Sequence, residues 1–269
     1  MMDTQDIEFE NTRVRLYRAG QGPRLLLIHG IGPGTSIPAN FGTVIPALAE
    51  HYSVVGMDLI GFGGSERKST APFFDFPLWC RQARFVADTL GADELRIWGQ
   101  SLGGAMALQV ASEMPSVTRV ITTGTGGGKQ TLNPALERFW TFPPSAEALR
   151  EALLSSMYDT SGITDEVVRE RFETLQQGGI GDYFSAMMAG DKQALLDSVY
   201  LSPKVLNNVQ ARVLLLHGRD DVPVPYRDTT LHLLDHLPTA EAVILSRCGH
   251  NPAREHTDRT LSLALEHLR

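Results

Sequence analysis

The chain has 269 residues, of which 42% are hydrophobic, and this length suits one compact domain with an insertion. The formal net charge is -7, and no long run of Lys or Arg is present, which argues against binding to nucleic acid or to an anionic membrane. The two cysteines, Cys80 and Cys248, lie far apart without metal-ligand spacing, so neither a disulfide framework nor a metal site is predicted. Since no signal-peptide pattern or long apolar segment is found, we expect a soluble, cytoplasmic protein.

Short apolar runs alternate with longer amphipathic segments along the chain. The first segment, DIEFENTRVRLYRAG, alternates in the manner of an antiparallel hairpin. Six buried strands are predicted at 24–30, 52–59, 94–99, 117–124, 211–218 and 240–247. Apolar residues at helical spacing occupy 76–91, 101–115, 226–238 and 254–268. This order predicts an α/β fold with a mostly parallel sheet flanked by helices.

The alternation stops between about Gly126 and Val209. This part contains patterns for two or three helices, with an interruption at Pro143 and Pro144, and no strand-like run. We therefore expect an α/β core formed by residues 1–125 and 210–269, and a helical cap, residues 126–209, inserted after the sixth strand.

A candidate nucleophile lies in the sequence Gly99-Gln100-Ser101-Leu102-Gly103. It fits the pattern G-x-S-x-G between a predicted strand and a predicted helix, where a tight turn exposes the serine hydroxyl. Taken alone, the pentapeptide fits a glycine-rich turn with an incidental serine about equally well.

Two later strand ends supply the partners that an activated serine needs. HGRDDVPVP contains Asp221, which we prefer to Asp220 because Pro225 follows it four residues later. RCGHNP contains His250, which follows a strand end and a glycine. The order Ser101, Asp221, His250 is that of a catalytic triad on an α/β-hydrolase sheet. The other histidines, His217 among them, have no evident partner in the sequence.

The segment HGIGPG, residues 29–34, predicts an oxyanion hole. Its glycines allow the backbone to approach a reacting carbonyl, so that the amide of Ile31 would act together with that of Leu102. Neither G-x-G-x-x-G nor G-x-x-x-x-G-K-[ST] is present, and no cofactor is predicted.

Five segments together resemble a known family: HGIGPGTSIPANF, DLIGFGGSE, GQSLGGAMAL, GRDDVPVP and RCGHNPAREHTD. They are similar to the meta-cleavage product hydrolases of the α/β-hydrolase superfamily, from about Arg24 to the end of the chain. The resemblance implies hydrolysis of a carbon-carbon bond in 2-hydroxy-6-oxohexa-2,4-dienoates, products of aromatic ring cleavage. The expected products are a 2-hydroxypenta-2,4-dienoate and a carboxylic acid.

The resemblance also implies substrate-binding residues. Arg171 in the cap and Asn40 would bind the anionic dienoate end of a small-molecule substrate. Two positions that line the site in this family differ here, with Gln100 where Asn is usual and Asn251 where Trp is usual. Because a fold does not fix a substrate, an esterase, lactonase or amide hydrolase with the same triad stays open. A ligand-binding protein without turnover is disfavoured by the complete triad, and the resemblance leaves a homo-oligomer open.

Overall fold

The computed structural model describes residues 2–269 and is built around one eight-stranded sheet. The strands are β1 (Asp3–Phe9), β2 (Thr12–Ala19), β3 (Arg24–Ile28), β4 (Ser53–Met57), β5 (Leu95–Gln100), β6 (Val117–Thr123), β7 (Arg212–Gly218) and β8 (Ala240–Leu245). Their order in the sheet is β1-β2-β4-β3-β5-β6-β7-β8. The hairpin β1-β2 joins β4 in antiparallel fashion, and β3 to β8 run parallel. The predicted mostly parallel sheet is confirmed.

Thirteen helices are described. They are α1 (Ile37–Phe41), α2 (Ile45–Leu48), α3 (Phe76–Thr89), α4 (Leu102–Glu113), α5 (Pro134–Phe139), α6 (Ala146–Ser156), α7 (Asp165–Leu175), α8 (Ile180–Met187), α9 (Lys192–Asp197), α10 (Pro203–Asn207), α11 (Thr230–His236), α12 (Pro252–Glu255) and α13 (Thr257–Leu268). None of the helices within residues 2–269 combines the length and the apolar content that a membrane crossing requires.

Helices cover both faces of the sheet because the parallel strands are apolar on both faces. Successive side chains of a strand point to opposite faces. Leu26 and Ile28 of β3 accordingly pack in one buried cluster with residues of α3 and α4. Leu25 and Leu27 pack in a second cluster with residues of α1, α2 and α13. All four side chains are fully buried, so the two cores fix the sheet between its helical layers.

The insertion after the sixth strand is helical, as predicted, but it is divided more finely. Among the described residues between β6 and β7 there are six helices, α5 to α10, and no strand. Five of these six helices begin at a polar side chain that caps the first turn. The capping residues that accept backbone amide hydrogen bonds are Asn133, Ser145, Thr164, Asp191 and Ser202. Leu149, Leu153, Ile163, Val168 and Leu175 of α6, α7 and the loop between them form a small apolar cluster of their own.

Four loops bring the candidate residues to the carboxyl edge of the parallel strands. They follow β3, β5, β7 and β8, and they carry the candidate residues Ile31, Ser101, Asp221 and His250. Open α/β sheets place their sites at this edge. The parallel topology therefore assembles residues that are up to 219 positions apart, from 31 to 250.

Candidate active site

Ser101 stands on a strained turn between β5 and α4. Its backbone angles are φ 55° and ψ -122°, in a region that residues with a side chain rarely adopt. A Cβ atom on Gly99 would lie 2.1 Å from the carbonyl oxygen of Gly103, and one on Gly103 would lie 2.2 Å from that of Ile28. Side chains are thus excluded on both sides of the serine, which explains the spacing of the motif.

Asp221 and His250 form a buried pair. Nδ1 of His250 lies 2.8 Å from Oδ2 of Asp221. The other carboxylate oxygen, Oδ1, accepts a 2.9 Å hydrogen bond from the amide of Val224. Asp220 has a different contact, because its Oδ2 accepts a 3.4 Å hydrogen bond from the amide of Cys248. His250 is therefore oriented by Asp221, and its Nδ1 carries the proton that this carboxylate binds.

A second histidine contacts the same carboxylate, and the sequence did not reveal it. Nε2 of His217 lies 3.0 Å from Oδ2 of Asp221 and 2.8 Å from the carbonyl oxygen of Val224. Both partners are acceptors, so Nε2 carries a proton, and Nδ1 accepts from the hydroxyl of Thr230 at 2.6 Å. The only sequence signal was the spacing of four residues between His217 and Asp221.

The pKa values of the pair move in opposite directions. Burial alone would raise the pKa of Asp221, but the charge of His250 and the hydrogen bonds from both histidines lower it below its ordinary value. Burial alone would lower the pKa of His250, but the charge and hydrogen bond of Asp221 outweigh burial and raise it. The carboxylate therefore stays ionised and strengthens His250 as a base.

Three contacts from other elements hold the backbone and ring of His250. Nε2 of Gln100 donates a 2.9 Å hydrogen bond to the His250 carbonyl, while Oε1 of Gln100 accepts from the Thr123 hydroxyl at 2.5 Å. The His250 amide donates to the carbonyl of Ser156, at the end of α6, at 2.8 Å. The ring of Phe139 packs edge-on at 6.0 Å between centroids. Gln100 lines the cavity, but its amide group is bonded to protein on both sides.

The loop after β3 lies against the nucleophile. A Cβ atom on Gly30 would lie 2.8 Å from that of Ser101, so only glycine fits. His29 fixes the loop: its pKa is lowered by burial, its Nε2 accepts from the Leu59 amide at 3.0 Å, and its Nδ1 contacts the Gly30 carbonyl. Within residues 2–269, the amides of Ile31 and Leu102 donate no hydrogen bond.

One cavity of about 180 Å³ contains most of the candidate residues. It is lined by Gly30, Ile31, Thr35, Ala39, Asn40, Gln100, Ser101, Phe139, Leu153, Ser156, Met157, Arg171, His250, Asn251 and Arg254. Asp221 lies behind His250, and Leu102 follows Ser101 at the start of α4. The structure thus brings together the nine residues that the sequence singled out, and it adds His217 and Arg254.

The polar lining of the cavity comes from both the insertion and the core. Arg171 belongs to α7, whereas Asn40, Asn251 and Arg254 belong to the core. Burial, and then the charge of Arg254, lower the pKa of Arg171, which still leaves it cationic. Oδ1 of Asn40 accepts a 2.9 Å hydrogen bond from the Gly30 amide, which leaves its NH₂ group for a ligand.

Comparison with known proteins gives the family. A family model described as alpha/beta hydrolase fold matches residues 23–257. The chain is 31% identical over 252 residues to 2-hydroxymuconate semialdehyde hydrolase of Pseudomonas sp. strain CF600, covering 93% of this chain and 88% of the relative. It is 34% identical over 271 residues to 2-hydroxy-6-oxo-6-phenylhexa-2,4-dienoate hydrolase of Burkholderia cepacia, covering 96% and 92%. The chain belongs to the meta-cleavage product hydrolases.

Solved structures agree with this assignment to the meta-cleavage product hydrolases. The hydrolase of that name from Pseudomonas fluorescens superposes with a TM-score of 0.92 at 30% identity, covering 98% of this chain and 97% of the other. The 2-hydroxy-6-oxo-6-phenylhexa-2,4-dienoate hydrolase of Rhodococcus sp. gives a TM-score of 0.89 at 32% identity, with both chains fully covered. The predicted α/β-hydrolase fold and the predicted hydrolase activity are confirmed.

Proposed function

We propose that this meta-cleavage product hydrolase cuts a carbon-carbon bond in 2-hydroxy-6-oxohexa-2,4-dienoates with Ser101, Asp221 and His250. The products are a 2-hydroxypenta-2,4-dienoate and a carboxylic acid. One observation carries the proposal: the cavity that holds Ser101 and His250 also holds the guanidinium of Arg171, which has no acidic partner within residues 2–269. An anionic substrate would supply that partner.

The reaction needs both the catalytic triad and the guanidinium of Arg171. The bond between C5 and C6 breaks only if C5 can leave as a stabilised carbanion. The C2 hydroxyl therefore first gives its proton to neutral His250, which leaves the dienolate, and His250 then passes that proton to C5 to form the 2-keto tautomer. Arg171 and Asn40 hold the carboxylate and the C2 oxygen during this transfer. Ser101 then attacks the C6 carbonyl as His250 takes its proton, and the amides of Ile31 and Leu102 bind the oxyanion. Water hydrolyses the resulting acyl-enzyme.

A second candidate is hydrolysis of an ester, lactone or amide with the same triad. Asn251 favours it, because the resemblance places a bulky Trp at this position and the smaller amide would admit a different group. Gln100, the other departure, gives less support, since its amide bonds the His250 carbonyl and the Thr123 hydroxyl.

A panel of yellow 2-hydroxy-6-oxohexa-2,4-dienoates with hydrogen, methyl or phenyl at C6 tests the proposal. We expect the purified protein to bleach the dienolate absorbance rapidly. Ser101→Ala should slow turnover by at least about 10⁴-fold, since a serine nucleophile is essential to the triad. Persistence of the colour with wild-type protein that still cleaves a nitrophenyl ester would favour the second candidate instead.

Four further statements belong to the proposal. We assign residues 126–209 to a cap and residues 1–125 and 210–269 to the core, where residue 1 lies outside the described residues; the separate apolar cluster of α6 and α7 supports this division. A cytoplasmic location is supported by Cys80 and Cys248, which are free thiols. A homo-oligomer is left open by the family resemblance, and the small-molecule substrate is anionic.

A further inference from the structure

Two guanidinium groups line the cavity that contains the nucleophile. Arg171 comes from α7 and Arg254 from α12. Two other arginines of the insertion have acidic partners: Arg150 pairs with Asp165, and Arg169 lies 4.0 Å from Glu166. Within residues 2–269, Arg171 and Arg254 form neither an ion pair nor a side-chain hydrogen bond.

Glu255, the acidic residue next to Arg254 in sequence, already accepts hydrogen bonds from the backbone. Oε1 of Glu255 accepts a 2.9 Å hydrogen bond from the Gly249 amide, and Oε2 accepts a 2.8 Å bond from the Tyr158 amide. These bonds hold the loop before His250 against the insertion. Glu255 is thus engaged by backbone amides, and among the described residues no carboxylate is bonded to either of the two arginines that line the cavity.

Asn251 contributes a further polar side chain to the same cavity. Its Oδ1 is buried and has no hydrogen-bond partner within residues 2–269, although Asn251 lines the cavity. A buried amide oxygen without a partner destabilises the fold unless a ligand or water meets it. By turning about its last side-chain bond, this amide can offer either its oxygen or its NH₂ group to a ligand.

We infer that Arg254 is a second substrate-binding residue, and that Arg171 and Arg254 together bind the substrate as a dianion, through its C1 carboxylate and its ionised C2 oxygen. The inference rests on the proposed function, because only a dienoate substrate carries those two groups side by side. Two like charges in one cavity repel each other, and a ligand with two adjacent negative charges removes that repulsion. Asn251 meets the same oxygens.

The cleavage step gives Arg254 a part in the reaction. In the 2-keto tautomer the C2 oxygen is neutral. When the bond between C5 and C6 breaks, its electron pair forms a double bond between C4 and C5, the double bond between C3 and C4 shifts to C2 and C3, and the C2 oxygen receives the charge. The acyl group stays on Ser101. A second guanidinium therefore binds the leaving product more strongly than it binds the keto intermediate.

Binding to an inactive enzyme tests the inference directly. Dissociation constants of the 6-methyl dienolate are measured by visible absorbance in the Ser101→Ala background. Adding Arg254→Gln should raise the constant about tenfold, a modest factor for a charge-assisted bond because Arg254 is exposed to solvent. Adding Arg259→Gln, which removes one exposed positive charge on α13, should leave it within about twofold. Arg254→Lys should recover part of the loss.

The outcomes separate the inference from the proposed function. Equal dissociation constants for the Arg254→Gln and Arg259→Gln variants overturn the inference. The proposed function still stands in that case if the wild-type protein turns over dienoates. A loss confined to a dienoate with a second carboxylate on its C6 substituent also overturns it, since Arg254 would then bind the opposite end. If wild-type protein cleaves no dienoate and the inactive variant binds none, the function fails and the inference fails with it.

Discussion

The cavity has two sides that differ in how their charges are satisfied. On the base side, His250, Asp221 and His217 are joined by hydrogen bonds of 2.8 and 3.0 Å, and the Asp221 carboxylate has a donor on each oxygen. On the anion side, Arg171 and Arg254 have no partner within residues 2–269, and a buried oxygen of Asn251 is left unpaired.

The difference separates two tasks. A base must keep one orientation and one protonation state before substrate arrives, so the protein supplies all of its partners in advance. A group that recognises an anion must be free to exchange water for the substrate, so the protein leaves it unpaired. Substitutions on the base side should therefore slow every reaction of the enzyme, and those on the anion side should mainly affect dienoates.

Asp221→Asn should impair the function of the base side most severely. We expect kcat/KM to fall about 10⁴-fold for a dienoate and a nitrophenyl ester alike, because the carboxylate fixes the tautomer of His250 and stabilises its protonated form. Asp221 raises the pKa of His250, and the base acts when neutral, so activity is lost as the pH falls through that pKa. Without the carboxylate charge, the acid limb of the pH profile should move to lower pH. A limb that moves to higher pH would contradict this assignment.

Arg171→Gln should impair substrate binding on the anion side. The loss in kcat/KM on the 6-methyl dienoate should be about 100-fold, the value of a charge-assisted, partly buried contact. Arg171→Lys should lose less, because it keeps the charge and gives up only the bidentate geometry. Stopped-flow measurement of dienolate bleaching checks both variants. A glutamine variant as active as wild type would exclude Arg171 from substrate binding.

His217→Gln should have the smallest effect, and it tests whether the second histidine tunes the base side. It removes a 3.0 Å donor from the Asp221 carboxylate, which should lower kcat about tenfold or less. The lost donor leaves the carboxylate more basic, so the acid limb of kcat/KM should move slightly to higher pH. A loss of thermal stability with an unmoved pH profile would instead assign His217 a purely structural role.

The sequence predicted the parts of the fold that depend on local patterns. Apolar runs and their flanking glycines indicated six strands, the alternating pattern of the first segment indicated the hairpin, and the tight turn at Ser101 followed from Gly99 and Gly103. The segment 254–268 was predicted as one helix, but α12 ends at Glu255 and α13 begins at Thr257. His256 interrupts them with φ -131° and ψ 53°, while its Nε2 contacts the Arg247 carbonyl at 2.7 Å.

Contacts between distant polar groups could not be predicted in this way. Gln100 reaches the His250 carbonyl across 150 positions, and Glu255 reaches the Tyr158 amide across 97. Such pairs depend on how the insertion packs on the core, which no local period encodes. Arg254 was overlooked for the same reason, since a helical arginine next to glutamate is usually solvated.

The most direct test of the account is the ratio of kcat/KM for the 6-methyl dienoate to kcat/KM for a nitrophenyl ester, measured for wild type, Asp221→Asn and Arg171→Gln. The account predicts that Asp221→Asn keeps this ratio within several-fold, because both reactions need the base, and that Arg171→Gln lowers it about 100-fold. An unchanged ratio in Arg171→Gln, or a collapse of the ratio in Asp221→Asn, would contradict the division of the cavity into a base side and an anion side.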